Sequence, residues 1–328
     1  MTMNETKKMF FIFTAIISAV LFSSCAEDKS KAISASRISY DLGVNYFSSN
    51  KTRQALENFL KAVNENPDFP EAHNALGLIY FDMKDFPKSE AHFKKAIELK
   101  PDYSEAYNNL GRIYLENDKL DKAIEMFKKA LSNMVYRTPQ YSYANLGWAY
   151  YKKGMVKEAL EQFNNAVTSD PRWCLSYRSI GIIKMEQKEA LEAFMAFDKF
   201  RDYCPSEPEA HFRMAEVKNT FGLAPRGEII SDLEKALDLD HSYCPARLML
   251  AKLQDEDENY SEAAATIDIY FNNCHEKAGV DAYKLAGNLY QHLGQISKAA
   301  AYLSACATKW PGSPEGRSCK DLLSKKSR

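Results

Sequence analysis

A pattern of small, aromatic and helix-ending residues recurs along this chain about every 34 residues. Its first occurrence consists of Leu42, Gly43, Tyr46, Ala55, Phe59, Ala62 and Pro67. A period of this length predicts tandem helical hairpins, because proline ends the second helix while glycine and alanine let the two helices approach closely. Each hairpin can bury its apolar face only against its neighbours, so the chain is expected to form a solenoid that acts as a binding surface.

The pattern resembles the tetratricopeptide repeat, which has these residue types in the same order. Its register predicts about eight repeats over residues 36–313, starting at Ser36, Pro70, Ser104, Gln140, Cys174, Pro208, Cys244 and Val280. The sixth and seventh repeats are degenerate, with Ala215 and Ala251 in the glycine place. Residues 314–328 predict a polar capping helix with a basic tail. The resemblance implies an all-α, right-handed superhelical solenoid of helical hairpins.

The composition and motifs argue against several classes of function. A net charge of -1 disfavours nucleic acid as a partner, because no basic excess is present to neutralise phosphates. The chain contains no GxSxG, GxxxxGK or HExxH motif, so we expect neither an enzyme nor a cofactor. The acidic run at residues 255–259 lacks the alternating ligands of a calcium loop and is interpreted as a turn between helices. No metal site is predicted.

The amino terminus has the features of an export signal. Lys7 and Lys8 precede an apolar run, residues 9–22, that is too short to span a bilayer as a helix. Residues 1–24 are therefore predicted to be a signal peptide. The segment around Cys25 resembles a bacterial lipobox, which implies palmitate-type lipidation of Cys25 and a tether over residues 25–35. The alternative is a secreted protein that is cleaved after Ser24 without lipidation.

The six remaining cysteines all lie in the second half of the chain. Cys174 and Cys204 occupy the first and thirty-first places of the fifth repeat, about 30 residues apart, and Cys244 and Cys274 occupy the same places of the seventh. The start of one helix and the end of its antiparallel partner lie at the same end of a hairpin, so both pairs can meet. The third predicted disulfide joins Cys306 to Cys319. An exported protein favours disulfides over the alternatives, which are buried free thiols or a metal site.

The tetratricopeptide resemblance implies a concave groove lined by the first helix of each hairpin, mainly at repeat places 2, 5, 9 and 12. Transferred to this chain, those places predict an apolar, protein-binding groove in the first five repeats. Its residues are Tyr40, Val44, Phe47, Asn74, Leu78, Phe81, Asn108, Arg112, Leu115, Tyr141, Trp148, Tyr151, Arg178 and Ile182. The alternative is that these apolar side chains pack against the neighbouring hairpin.

A second resemblance involves the junction between the third and fourth repeats. Residues 130–139 contain a two-residue insertion with Tyr136 and Pro139, followed by the segment Ala144–Gly147. This junction is similar to that of the type IV pilus biogenesis and stability lipoproteins, the pilotins of the social-gliding motility type. Residues 36–243 form the similar repeats, and repeats seven and eight, residues 244–313, lie outside the resemblance.

The pilotin resemblance implies a lipid-anchored, periplasm-facing protein of the outer membrane that binds the secretin subunit of the pilus pore. The alternative is a general periplasmic scaffold lipoprotein that organises envelope-biogenesis or peptidoglycan enzymes.

Overall fold

The computed structural model describes residues 29–324, and within that range the chain is helical with no β-strand, which confirms the all-α class. The helices are α1 (residues 29–48), α2 (Thr52–Glu65), α3 (Pro70–Asp82), α4 (Phe86–Leu99), α5 (Ser104–Glu116), α6 (Leu120–Leu131), α7 (Pro139–Lys152), α8 (Val156–Ser169), α9 (Cys174–Glu186), α10 (Ala190–Tyr203), α11 (Pro208–Phe221), α12 (Arg226–Leu239), α13 (Cys244–Glu256), α14 (Tyr260–Cys274), α15 (Val280–His292), α16 (Ile296–Lys309) and α17 (Pro314–Ser324). The chain forms two compact units, of which unit 1 ends at Ser169 and unit 2 begins at Asp170.

Each unit is a series of helical hairpins joined by short loops. In unit 1, α3 packs with α4, α5 with α6 and α7 with α8, and in unit 2 the same pairing runs from α9 to α16, with α17 packed on α16. From the second repeat on, the first helix of every hairpin begins within one residue of the start given by the repeat register. The residue insertions fall in loops, such as residues 132–138 and residues 222–225. The hairpins therefore follow the register even where the consensus is degenerate.

The two helices of a hairpin are held together by an aromatic ring that lies on a glycine. A Cβ atom added to Gly77 would lie 2.5 Å from the ring of Phe93, and one added to Gly147 would lie 2.8 Å from the ring of Phe163. The same close approach joins three further pairs, Gly43 with Phe59, Gly111 with Phe127 and Gly181 with Phe197. These phenylalanines are at most 2% exposed. Only a residue without a side chain leaves room for the ring at this spacing.

In the remaining hairpins the second helix has an aliphatic residue instead of phenylalanine, and in two of them the glycine is replaced by alanine. Gly287 faces Leu303 instead of a phenylalanine, and a Cβ there would lie 2.5 Å from the leucine side chain. Where alanine replaces glycine, the partner is also aliphatic: Ala215 shares a core cluster with Leu233, and Ala251 shares one with Ile267. A larger residue on the first helix is thus matched by a smaller one on the second, as close packing requires.

The first helix differs from expectation at two points. Residues 29–35, expected to form part of a flexible tether, are helical and continuous with the rest of α1. Ser36 is buried and its hydroxyl donates to the Ile33 carbonyl, so this segment is held as a helix. Leu42 is 45% exposed, whereas its counterpart Leu76 is fully buried among residues of the preceding hairpin. No hairpin precedes α1 within residues 29–324, which explains the exposure of Leu42.

The predicted signal peptide and Cys25 lie outside the described residues. Among helices of the described part of the chain, none is both long enough and apolar enough to cross a membrane.

Unit 2 contains three disulfides. They join Cys174 to Cys204, Cys244 to Cys274, and Cys306 to Cys319, with Cα–Cα distances of 6.1, 5.9 and 6.1 Å. These are the three pairs expected from the repeat register. Two of them close the open end of a hairpin, and the third fastens α17 to α16. The bonds therefore lie in the unit whose repeats depart most from the consensus.

The glycine–phenylalanine contact predicts how a substitution of the glycine changes the stability of the protein. Gly147→Ala places a methyl group against the Phe163 ring, and we expect it to lower the free energy of unfolding by about 1–3 kcal/mol. Gly227→Ala is the control, because Gly227 lies in α12 with no atom within 4 Å of an added Cβ. The control should be neutral or stabilise by about 0.5 kcal/mol, since alanine favours the helix. Urea denaturation followed by circular dichroism measures both, and equal effects would contradict the packing argument.

The disulfides predict how removal of a cross-link changes the stability of unit 2. Replacing both Cys174 and Cys204 by alanine removes a cross-link that closes a separation of 30 residues, and should lower the stability of unit 2 by about 3–4 kcal/mol. The same double replacement at Cys306 and Cys319, 13 residues apart, should cost less, because loop-closure entropy grows with loop length. Intact-mass spectrometry of the unreduced protein should show all six cysteines oxidised. Detection of six free thiols would overturn the pairing.

Candidate functional site

A surface pocket of about 480 Å³ lies on the first helices of repeats two to four, all within unit 1. Helices α3, α5 and α7 supply most of its wall, and the loop before α7 supplies the rest. The lining residues are Asn74, Leu78, Glu105, Asn108, Asn109, Arg112, Tyr136, Thr138, Tyr141 and Asn145. Most of these side chains are polar, and the volume lies within the usual range of ligand sites.

Hydrogen-bonded asparagines connect neighbouring helices across the pocket floor. Asn109 on α5 donates to the side-chain oxygen of Asn74 on α3 at 3.1 Å, and Asn145 on α7 donates to that of Asn108 on α5 at 3.0 Å. In both pairs, the residue at place 5 of one repeat accepts from the residue at place 6 of the next. The pairs fix the amide groups in position, because a rotated side chain would lose its partner.

Asn108 is the most constrained member of this arrangement. Its side chain is 7% exposed, and its oxygen accepts from both the Asn145 amide and the Ser142 hydroxyl, each at 3.0 Å. Within residues 29–324 its amide nitrogen donates no hydrogen bond. Because Asn108 lines the pocket, this N–H group is available to a ligand carbonyl.

The loop of residues 132–138 forms one wall of the pocket and is held by its own hydrogen bonds. The Asn133 amide donates to the carbonyl of Asp102 at 2.8 Å, and the Asn133 oxygen accepts from the backbone N–H of Val135 at 3.1 Å. The hydroxyl groups of Tyr136 and Ser142 lie within hydrogen-bonding distance at 3.3 Å. Burial is the main cause that raises the pKa of Tyr136 above its usual value. Tyr136 is therefore a neutral hydrogen-bonding group at physiological pH.

Two charged side chains of α5 also line the pocket. The Arg112 guanidinium lies 4.6 Å from the centroid of the Phe81 ring, a cation–π contact that holds it against α3. Glu105 lies in the first turn of the same helix, where its negative charge is favoured by the helix dipole. The pocket thus presents one cation and one anion beside neutral amides.

The expected groove residues divide into several groups. Asn74, Leu78, Asn108, Arg112 and Tyr141 line the pocket together. Val44 is exposed on α1, and Leu115 and Tyr151 are half-buried on their helices. Arg178 and Ile182 lie on α9 of unit 2 and are not part of the pocket wall. There, Nε of Arg178 forms an ion pair with Glu209 at 2.8 Å, and Ile182 packs against a core cluster.

Four of the aromatic residues expected in the groove, unlike the pocket-lining Tyr141, pack against the protein itself. The Tyr40 ring lies 5.6 Å from Phe59, and Phe47 packs against the cluster that contains Phe59. Phe81 is only 8% exposed, and Trp148 meets the Phe163 ring edge-on at 5.7 Å. The predicted apolar groove remains a prediction, and four of its aromatic members contact other side chains of the protein. The repeat place alone does not distinguish an aromatic ring that faces a ligand from one that packs on its own hairpin.

Sequence reasoning missed five lining residues, Glu105, Asn109, Tyr136, Thr138 and Asn145. The asparagines carried a usable signal, because each lies one or two residues before the Leu-Gly of its repeat. Asn74 and Asn109 are separated by one repeat plus one residue, which is the spacing that pairs place 5 with place 6. Asn108 and Asn145 have the same relation once the two-residue insertion is counted. A search for polar pairs at this spacing would have identified the site.

Metal binding is a further chemistry that clustered side chains within residues 29–324 could support. That range contains no group of three or more histidine, cysteine or acidic side chains that could hold a metal ion. The acidic run at residues 255–259 includes the end of α13 and a turn in which Glu258 has a φ of 60°. The interpretation of this run as a turn between helices is therefore confirmed.

Comparison with known proteins identifies the repeat. Residues 68–134, 140–173 and 282–313 match models of the tetratricopeptide repeat, and residues 43–84 match a TPR repeat model. No curated protein matches the chain in sequence.

Several solved structures share the fold. PilW, a type IV pilus biogenesis factor, is 21% identical with a TM-score of 0.57, over 63% of this chain and 94% of that chain. PilF of Pseudomonas aeruginosa is 17% identical with a TM-score of 0.60, over 68% of this chain and 99% of that chain. A tetratricopeptide repeat protein of Parabacteroides merdae is 19% identical with a TM-score of 0.53, over 78% of this chain and 97% of that chain. The matched residues are thus tetratricopeptide repeats, and the likenesses to solved structures show that the chain shares their fold of tandem helical hairpins.

Proposed function

We propose that the pocket of unit 1 binds an extended peptide segment of a partner protein. The observation that carries this proposal is the pair of asparagine bridges beneath the pocket, with the unused amide N–H of Asn108. A peptide backbone offers one donor and one acceptor per residue, and side-chain amides match both. An apolar ligand would exclude water from the Asn108 N–H group without giving it a partner, which costs free energy.

We further propose that the protein is an outer-membrane lipoprotein that assists assembly of a type IV pilus secretin. Three features support this: the lipobox-like segment that ends at Cys25, the lengthened junction at residues 130–139, and the fold shared with PilW and PilF. The junction also contributes Tyr136 and Thr138 to the pocket wall. The segment that resembles the pilotins is thus part of the proposed binding site.

A lipid on Cys25 would hold unit 1 close to the membrane. Residues 29–48 are helical, so only residues 26–28 lie between the lipidated cysteine and the described helix. At about 3.5 Å per residue, this segment reaches at most about 14 Å. The pocket would therefore meet a partner segment at the membrane surface, where an outer-membrane protein subunit arrives before insertion.

The peptide-binding proposal is tested with overlapping peptides of the secretin subunit and the full-length protein. We expect the variant with both Asn74→Ala and Asn108→Ala to bind its best peptide at least tenfold more weakly, because each lost amide contact is worth about 1 kcal/mol. Asn58→Ala is the matched control, since Asn58 bonds only to its own helix α2. Fluorescence anisotropy gives the affinities, and circular dichroism confirms folding. Equal binding by the double variant and the control would exclude this pocket.

The lipoprotein proposal is tested in cells that express the secretin. Cys25→Ala should abolish palmitate labelling and reduce detergent-resistant secretin multimers, because the pocket is no longer held at the membrane. The double asparagine variant should remain labelled and still lose the multimers. Retained label on the Cys25 variant would contradict lipidation. Normal multimers in both variants would instead favour a scaffold for other envelope proteins.

A further inference from the structure

Two opposite charges on α5 face the same pocket and are separated by two helical turns. Glu105 and Arg112 are seven residues apart, which corresponds to about 10 Å along the helix axis. Both line the pocket, with Asn108 and Asn109 between them in sequence. The pocket therefore has a negative end and a positive end, with neutral amides in the middle.

Neither charge is neutralised by the protein. Across residues 29–324, Glu105 and Arg112 form no ion pair with each other or with any other side chain. Arg112 is half-buried and lies against the Phe81 ring, so its guanidinium is held in one place rather than free in solvent. A fixed guanidinium with unused N–H groups suits a carboxylate, which can accept two of them at once.

Equivalent charges elsewhere in the chain do have partners. Glu71 and Glu209 occupy the same repeat place as Glu105. Glu71 lies 3.9 Å from Nζ of Lys100, and Glu209 pairs with Arg178 at 2.8 Å and with Arg213 at 3.1 Å. Acids at this place can thus be neutralised within the fold. Glu105 is left unpaired where the pocket lies.

We infer that the pocket selects a peptide segment with an acidic and a basic side chain about three residues apart. This inference rests on the proposed peptide-binding function. In the polyproline II conformation a chain advances about 3.1 Å per residue with three residues per turn, so side chains three positions apart lie on the same side and about 9 Å from each other, close to the separation of Glu105 and Arg112. The acidic side chain pairs with Arg112 and the basic one with Glu105, while the amide groups between them bind the backbone. Segments with two like charges place one of them against a group of the same sign.

The test compares peptide pools that differ only in two fixed residues three positions apart. Two pools carry one Asp and one Lys in opposite orders. A third pool carries two Asp residues, and a fourth carries two Lys residues. At low salt, the full-length protein should bind one of the mixed pools about tenfold more tightly than either like-charged pool. Glu105→Arg should shift the preference to the pool with two Asp. Arg112→Glu should shift it to the pool with two Lys.

The double variant with both Glu105→Arg and Arg112→Glu is the control for folding, and its result discriminates best between the possible outcomes. It restores one charge of each sign, so it should again prefer a mixed pool. Peptide binding without any charge preference, or single reversals that leave the preference unchanged, would overturn the inference while the proposed function stands. If no pool binds and the secretin peptides also fail, the proposed function itself is wrong.

Discussion

The contact between a phenylalanine ring and a glycine sets the spacing of the hairpins on which the rest of the structure depends. A Cβ atom added to Gly77 would lie only 2.5 Å from the Phe93 ring. The two helices of the hairpin are therefore closer together than any residue with a side chain at this position would allow. The same contact recurs in five hairpins, and aliphatic substitutes preserve it in the others. A constant spacing keeps the first helices in register, so the same repeat places face the same way. The pocket exists because places 2, 5, 6 and 9 of three successive helices come together.

The repeat register predicted the hairpins well, because helix starts depend on local signals. Proline opens α3 and α11, and it lies one residue before the expected start at α7. The chemistry of the groove was less predictable. Phe81 and Trp148 occupy places assigned to the groove, but a ring can lower its free energy by packing against Arg112 or Phe163. The place of a residue in the repeat determines the direction in which its side chain leaves the helix. Whether that side chain is buried depends on the side chains around it. Asn74 and Asn108 were expected in the groove, but their partners Asn109 and Asn145 were not, because only repeat places 2, 5, 9 and 12 were assigned to it.

The two units use polar groups differently. In unit 2, Arg178, Glu209 and Arg213 join neighbouring first helices by ion pairs, and three disulfides close helix ends. In unit 1, the described residues contain no disulfide, and the first helices are joined by neutral asparagine bridges. Charges that satisfy each other inside a protein contribute little to recognition of a partner. Unit 1 is therefore the better candidate for binding, and unit 2 for stability.

The junction between the third and fourth repeats links the family resemblance to the pocket. Between α4 and α5 the connection is residues 100–103, whereas between α6 and α7 the longer loop of residues 132–138 is anchored by Asn133 to the carbonyl of Asp102. The anchored loop places Tyr136 within reach of Ser142, which also donates to Asn108. Its tip leaves Met134 fully exposed and Val135 78% exposed, directly before the pocket-lining Tyr136 in the chain. The insertion thus supplies a pocket wall and an apolar edge in one element. We therefore expect a partner segment that fills the pocket to place apolar residues against Met134 and Val135, next to its charged pair.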